Sequence, residues 1–445
     1  MPTVMMVGFA LGLSWAFLPG GLEFDPVARE RFTSSGEGSG TFALQWMPLI
    51  LLGIVGIFLR FRAATLLLRD LNPWGLLIPL WAMASLLWAA DPFTVFKQSV
   101  GIAGVVLLAW GFVLHGWHPQ RFVTVIRPLV TVALAASLVV GLLMPHIGVH
   151  AEQQFELNGS WRGITYQKNG LGQLSATGII LWFHAWASRS VRLPVSLAGM
   201  ALSMLMILLS RSSTSLLLSI ICCGLIFLQL RPPLRLGANG PMVTAASWLM
   251  LLAPLVGYAI LVGAVDSEGI AQSFGSIFGK DASFSGRTYI WAELMDQIAK
   301  HPWAGVGYNS FWSTPLAAEA KRRLGWSVPS GHNGYLDMWN TLGLVGISML
   351  VMMLMRGFAD IARLRRIDPA NASLHFGLLL YSTLANLTES GWFIPMAYTH
   401  VIVVYSSITV SRLLFDARLR SVAVQTALQH SPGPFSSARP PNRSP

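Results

Sequence analysis

Long apolar runs recur along this chain, separated by short polar breaks. A helix needs roughly 17 to 25 apolar residues to cross a hydrocarbon core of about 30 Å. Runs of that length without period-2 alternation are read as membrane helices rather than strands or surface helices. The pattern predicts about twelve crossings: residues 2 to 18, 42 to 59, 73 to 90, 99 to 115, 124 to 144, 171 to 188, 194 to 210, 213 to 230, 243 to 264, 333 to 355, 372 to 388 and 392 to 412. The first lacks a basic leader and a small-residue cleavage site, so it is expected to be a retained helix. One polar stretch of any size interrupts the series. Four regions follow: 1–264 with the first nine crossings, a loop at 265–332, 333–412 with the last three, and a Pro- and Ser-rich tail at 413–445 expected to be disordered.

Within the loop, SGRTYIWAELMDQIAKHPW predicts a helix. Ser285 can cap it, Ile290, Leu294 and Ile298 recur at helical spacing, and Pro302 ends it. A second helix is expected from Thr314 to Gly325, with Lys321, Arg322 and Arg323 complementing the dipole of its last turn.

Composition agrees with a polytopic membrane protein: 53% of the 445 residues are hydrophobic and 11% are charged. Charge then orients it. With the N-terminus inside, inner loops and tail hold 18 of the 30 Lys and Arg, the short outer loops hold 6, and the long outer loop holds the other 6. Basic residues favour the cytoplasmic side, so both termini are expected inside and the 265–332 loop outside. The net charge of +11 is accounted for by this bias and by anionic lipid. No basic run with interleaved aromatics suggests nucleic-acid binding. Cys222 and Cys223 are adjacent inside one apolar run and are expected to pack there without a disulfide. No metal-ligand spacing, phosphate loop or nucleotide fingerprint is present in the sequence, so neither cofactor nor metal is expected.

The polar residues left over gather at the predicted outer face: Asp91, Arg162, Lys168, Arg211, His332 and Glu389. Singly, each reads as an interfacial anchor. Together they form a net basic floor suited to an anionic lipid head group. Arg287 stands in the first turn of its helix, where a cation opposes the dipole; a bound anion such as pyrophosphate would compensate, and so would pairing with Asp281 or Asp296. In SGHNGYLDMWNTLGLVG, residues 330 to 346, Asn333, Asp337 and Asn340 share one helix face, which must meet protein or water rather than lipid. His332 is off that stripe, so its carboxylate partner must come from elsewhere, and Glu389 is the candidate.

These motifs resemble a known family. His332 and Asn333, followed after nine residues by the GLVG that contains Gly343 and Gly346, look like the signature of the O-antigen ligase and bacterial polysaccharide polymerase superfamily. SLLWAADP, YQKNGLG, LLSRSSTSL, SGRTYIW and HPWAGVGYNSF agree with it, over residues 80 to 400. The resemblance implies an all-α, glycosyltransferase-C-like integral membrane fold in the bacterial inner membrane. The implied substrate is an undecaprenyl-pyrophosphate-linked oligosaccharide, used at the periplasmic face alongside other polysaccharide assembly and export proteins. His332 matches the family's essential histidine and Arg287 its outer-loop arginine. Arg211 is offset by two positions, because the family's basic residue precedes the Thr of that junction, where this chain has Ser213. Ligases often have Leu where Trp291 stands, and the Tyr166 to Gly172 loop resembles exopolysaccharide and succinoglycan-type polymerases.

The chemistry follows from the donor. Pyrophosphate is already a good leaving group, so an enzyme must stabilise its developing charge and take a proton from the acceptor hydroxyl. Imidazole titrates near neutrality and suits the second task. The expected assignment is His332 as base oriented by Glu389, Arg287 and Arg211 on the pyrophosphate, with Arg162, Lys168 and Asn333 assisting, and inversion without metal. The acceptor is another lipid-linked repeat unit in a polymerase and lipid A-core in a ligase. A lipid-linked glycan transporter is a third reading, although no internal repeat or midplane site speaks for it.

Overall fold

The computed structural model describes residues 1–18, 39–150, 158–230, 287–313, 322, 330–395 and 397–430. Among these residues the chain is helical throughout, with a single isolated bridge between Val149 and Trp161 and no strand. The helices before the loop are α1 (Pro2–Phe17), α2 (Ser39–Leu59), α3 (Phe61–Leu68), α4 (Pro73–Ala84), α5 (Pro92–Leu114), α6 (Arg121–Leu143), α7 (Lys168–Ala187), α8 (Leu193–Ser210) and α9 (Ser213–Leu230), with a single turn at Pro145–Gly148 between α6 and α7. After the loop helix α10 (Arg287–Lys300) come α11 (Gly334–Arg365), α12 (Pro369–Ala385) and α13 (Tyr398–His430). A helix therefore stands at every predicted crossing except the ninth, 243 to 264, which lies outside the described residues, as does most of the expected Thr314 to Gly325 helix. Among the described residues, six helices are long and apolar enough to cross a membrane. A seventh crossing results if Trp46–Leu59 and Phe61–Leu68, bent by 94°, form one broken span. Large apolar side chains such as Phe58, Leu80, Val132 and Leu142 are exposed on the bundle surface, which is stable only where lipid solvates them.

Three of the helices begin at the same dipeptide chemistry, an Asx followed by Pro. Asn72 accepts from Trp74 N at 3.2 Å, Asp91 from Thr94 N at 3.1 Å and Asp368 from Asn371 N at 3.0 Å. The cap satisfies an orphan N–H, and proline supplies a helical φ where no donor is needed. Asp91 thus opens α5 instead of closing the span before it.

Two further corrections concern the C-terminal region. The last helix starts at Tyr398 rather than near 392, because the Asn386 carboxamide oxygen accepts from Gly391 N at 2.8 Å and Trp392 N at 2.9 Å. That bond pattern folds the connection into a turn, and Pro395 follows. The helix then runs on to His430, so residues 413–430 are helical where a disordered tail is expected. Leu413 and Phe415 are buried, Arg412 pairs with Asp416 at 3.0 Å, and Arg418 reaches Asp70 at 2.7 Å.

α11 is broken inside its apolar run. Gly343 has φ 68° and ψ −169°, outside the helical region and open to glycine. The backbone groups released by the break are taken up by residues 302–307: Leu344 N donates to Pro302 O at 2.8 Å, Val345 N to Trp303 O at 3.3 Å, Val306 N to Asn340 O at 2.9 Å and Gly307 N to Thr341 O at 3.1 Å. Irregular backbone at membrane depth survives only when protein re-satisfies it in this way. The approach leaves no room for side chains. A Cβ on Gly343 would lie 2.2 Å from Trp303 O, and one on Gly305 2.5 Å from the Thr341 carbonyl carbon. The HPWAGVG and GLVG motifs are thus one interlocked unit.

Candidate active site

The α11 N-terminus, the 386–394 connection and the start of α7 meet at one pole of the bundle. Asn333 caps α11, its side-chain oxygen accepting from Tyr335 N at 3.1 Å and Leu336 N at 3.2 Å. Gly334 N donates to Asn386 O at 2.9 Å and to Glu389 O at 3.0 Å, so the helix start and the connection share one backbone frame. His332 lies just ahead of this cap with φ 47°, in the left-handed region.

On that frame His332 Nδ1 lies 3.4 Å from Glu389 Oε2, with the two side chains only 12% and 16% exposed. The other carboxylate oxygen, Oε1, accepts from Asn169 Nδ2 at 2.7 Å. Asn169 is in the first turn of α7, within the YQKNGLG loop. The order imidazole, carboxylate, carboxamide is that of a base whose orienting acid is itself held in place. Catalytic contacts are often this long before substrate closes the site.

A second carboxylate underlies the pair. Asp337 accepts from Gly331 N through both oxygens, at 3.1 and 3.0 Å, from Trp312 Nε1 at 3.4 Å and from the Ser390 hydroxyl. Beside it is a cavity lined by Tyr308, Asn309, Trp312, Ser330 and Ser390. The Tyr308 hydroxyl donates to Phe393 O, and burial pushes this phenol far above its ordinary range, so it stays a neutral donor.

Three of the other expected cations, Arg162, Lys168 and Arg211, lie against residues 147–150 and 158. Arg162 Nε donates to Ile147 O at 2.7 Å. Arg211, in a left-handed C-cap conformation, is exposed and donates to Asn158 O at 3.2 Å. Lys168 opens α7, and its N–H donates to Nε2 of the buried His150 at 3.2 Å. Gly172 packs so closely on Ser212 that an added Cβ would sit 2.4 Å from the serine Cβ, which ties the Arg211 turn to the helix bearing Asn169. Arg287 is the first residue of α10, and its side chain lies outside the described residues. α10 itself docks beside the site through Ile290, Leu294 and Ile298, which cluster with Phe311 and Leu336.

His332, Glu389 and Asn333 are therefore brought together, and Arg162, Lys168 and Arg211 form an adjacent group. Sequence reasoning assigned no role to Asn169, His150, Ser390 or Asn386. Asn169 lay inside a quoted motif, but nothing in a single sequence pairs it with a carboxylate 220 positions away.

A family model described as O-Antigen ligase matches residues 197–351, the segment holding Arg211, Arg287, His332 and the Gly343 break. Over 330 residues the chain is 24% identical to the exopolysaccharide production protein ExoQ of Rhizobium meliloti (strain 1021), covering 70% of this chain and 68% of that one. Both matches make the chain similar to O-antigen ligases and to exopolysaccharide production proteins. It is also 26% identical over 226 residues to an O-antigen ligase of Pseudomonas aeruginosa, 51% of this chain and 49% of the ligase, about half its length. The similarity agrees with a multi-pass membrane protein, which the long apolar helices of the described residues also indicate.

Proposed function

We propose that the chain is a polysaccharide polymerase. It transfers the glycan of an undecaprenyl-pyrophosphate donor to a sugar hydroxyl of another lipid-linked repeat unit. The pole bearing His332 faces the periplasm, about twelve helices cross the inner membrane, and the long loop at 265–332 lies outside with both termini in the cytoplasm. The observation that carries this reading is the His332, Glu389, Asn169 array, in which a loop resembling those of exopolysaccharide polymerases holds the carboxylate that faces the base.

In the step, the acceptor hydroxyl gives its proton to His332 Nε2 while Glu389 faces Nδ1 and stabilises the imidazolium that forms. The acceptor oxygen bonds to the anomeric carbon, and the bond from that carbon to the pyrophosphate oxygen breaks in line, so configuration inverts. The electron pair leaves on the pyrophosphate. Arg287 and Arg211 hold that charge, with Arg162 and Lys168 contributing field from the adjacent loop. Asn333 shapes the acceptor side of the site. Because the leaving group is already activated, the step needs no metal.

A ligase passing the glycan to lipid A-core is the second reading, favoured by the O-antigen ligase match over 197–351. A test separates them: purified protein in liposomes, one lipid-linked repeat unit, with and without lipid A-core, products resolved by size. A ladder of longer glycans without lipid A-core, undiminished by EDTA, is expected. Product only with lipid A-core would establish the ligase. No glycosidic product in either tube would leave the transporter, and loss of activity with EDTA would overturn the metal-free step.

A further inference from the structure

Gly331 immediately precedes His332, and both sides of its peptide are held by side chains from other elements. Its N–H is bound by the Asp337 carboxylate at 3.0 and 3.1 Å. Its carbonyl accepts from Trp291 Nε1 of α10 at 2.8 Å. The space is closed as well: a Cβ at Gly331 would meet Leu294 Cδ1 at 2.5 Å and Asp337 Oδ1 at 2.9 Å. Asp337 also accepts from Ser390, the residue after Glu389, and from Trp312. One carboxylate thus fixes the neighbour of the base and the neighbour of its orienting acid, while one indole ties the same peptide to the helix that begins at Arg287.

We propose that Asp337 and Trp291 are positioning residues, clamping the Gly331 peptide so that His332 is held at once against Glu389 and in register with the arginine helix α10. The inference rests on His332 acting as the base. The adjoining cavity, about 40 Å³, is lined by Trp312, Ser330, Asp337 and Ser390. A carboxylate so close to the site is read as an acid or ligand contact only if it faces substrate. Asp337 faces backbone N–H, indole and hydroxyl donors, which is the environment of an anchor.

The test uses full-length protein in liposomes with lipid-linked repeat unit, measuring kcat, KM for the donor and thermal unfolding. Trp291→Phe keeps an aromatic ring but removes the N–H with the pyrrole half of the indole, and it should lower kcat by about tenfold with KM unchanged. Asp337→Ala should lower kcat by about a hundredfold, the cost of displacing a reacting group by an ångström. Asp337→Asn, which can still accept from Gly331 N, should recover to within about tenfold of wild type. On a His332→Ala background, Asp337→Ala should reduce the residual rate no further, because its effect runs through the imidazole. Retained kcat in Trp291→Phe and Asp337→Ala, or losses that merely follow the folded fraction, would overturn the clamp. Full activity in His332→Ala alone would instead sink the assignment of the base, leaving the two failures distinguishable.

Discussion

At the pole opposite His332, charges answer charges: Asp360 holds Arg356 at 2.9 Å and Arg363 at 3.0 Å, Asp70 meets Arg418 at 2.7 Å, and Asp416 meets Arg412 at 3.0 Å. At the His332 pole, the carboxylates Asp337 and Glu389 answer backbone N–H, indole, hydroxyl, carboxamide and imidazole groups. The difference teaches what each end is for. Arginine paired with a nearby carboxylate is neutralised, which suits a pole that only has to stay at a membrane surface. At the His332 pole the two carboxylates hold the backbone and the side chains around the imidazole.

The contrast breaks most directly at the base. His332→Ala should lower polymerisation by about 10²- to 10⁴-fold while the protein unfolds at an unchanged temperature. Equal activity would make the two poles equivalent and end the proposal. Gly343→Ala attacks the other distinctive feature of the active pole. Its Cβ has backbone for a neighbour, so the expected cost is about 3 kcal/mol or more of stability, read by thermal unfolding in detergent. Glu389→Gln sharpens the comparison by removing charge while keeping shape. It should reduce kcat by about ten- to a hundredfold without weakening donor binding, as measured by KM. Arg418→Ala is the smallest change. Its pair with Asp70 is half-exposed, so the loss should be about 0.5 kcal/mol in unfolding, with polymerisation within about twofold of wild type.

The helical pattern was legible because apolar length is a strong local signal, but the Asx-Pro starts at 91 and 368 lie ahead of the expected 99 and 372, where the first turns are too polar to extend an apolar run. The site was legible only in its chemistry. His332 stood out beside a resembling motif, and Glu389 came from topology. What binds them was not legible: Asn169 and Glu389 are 220 residues apart, Ser390 and Asp337 53, and Trp291 and Gly331 40. Tertiary pairing of this kind leaves no periodicity. The pairing of 302–307 with 340–345 is harder still, since backbone hydrogen bonds carry no side-chain identity and appear in the sequence only as glycines. The error at residues 413–430 has a different source. Within 413–445 proline is confined to the last fifteen residues, while Asp416 pairs with Arg412 one turn earlier and Arg418 with Asp70 across the bundle.

The interlocked backbones also govern how such proteins can exchange parts. The two glycine-rich strips, 301–307 and 340–346, fit each other as a key fits its lock. A graft that brings an outer loop from a relative, to change which sugar is accepted, has to bring both strips or leave both behind. Exchange points placed beyond 346 or before 301 respect that unit. One placed between them, at the tempting polar boundary near 330, would join two halves cut for different partners.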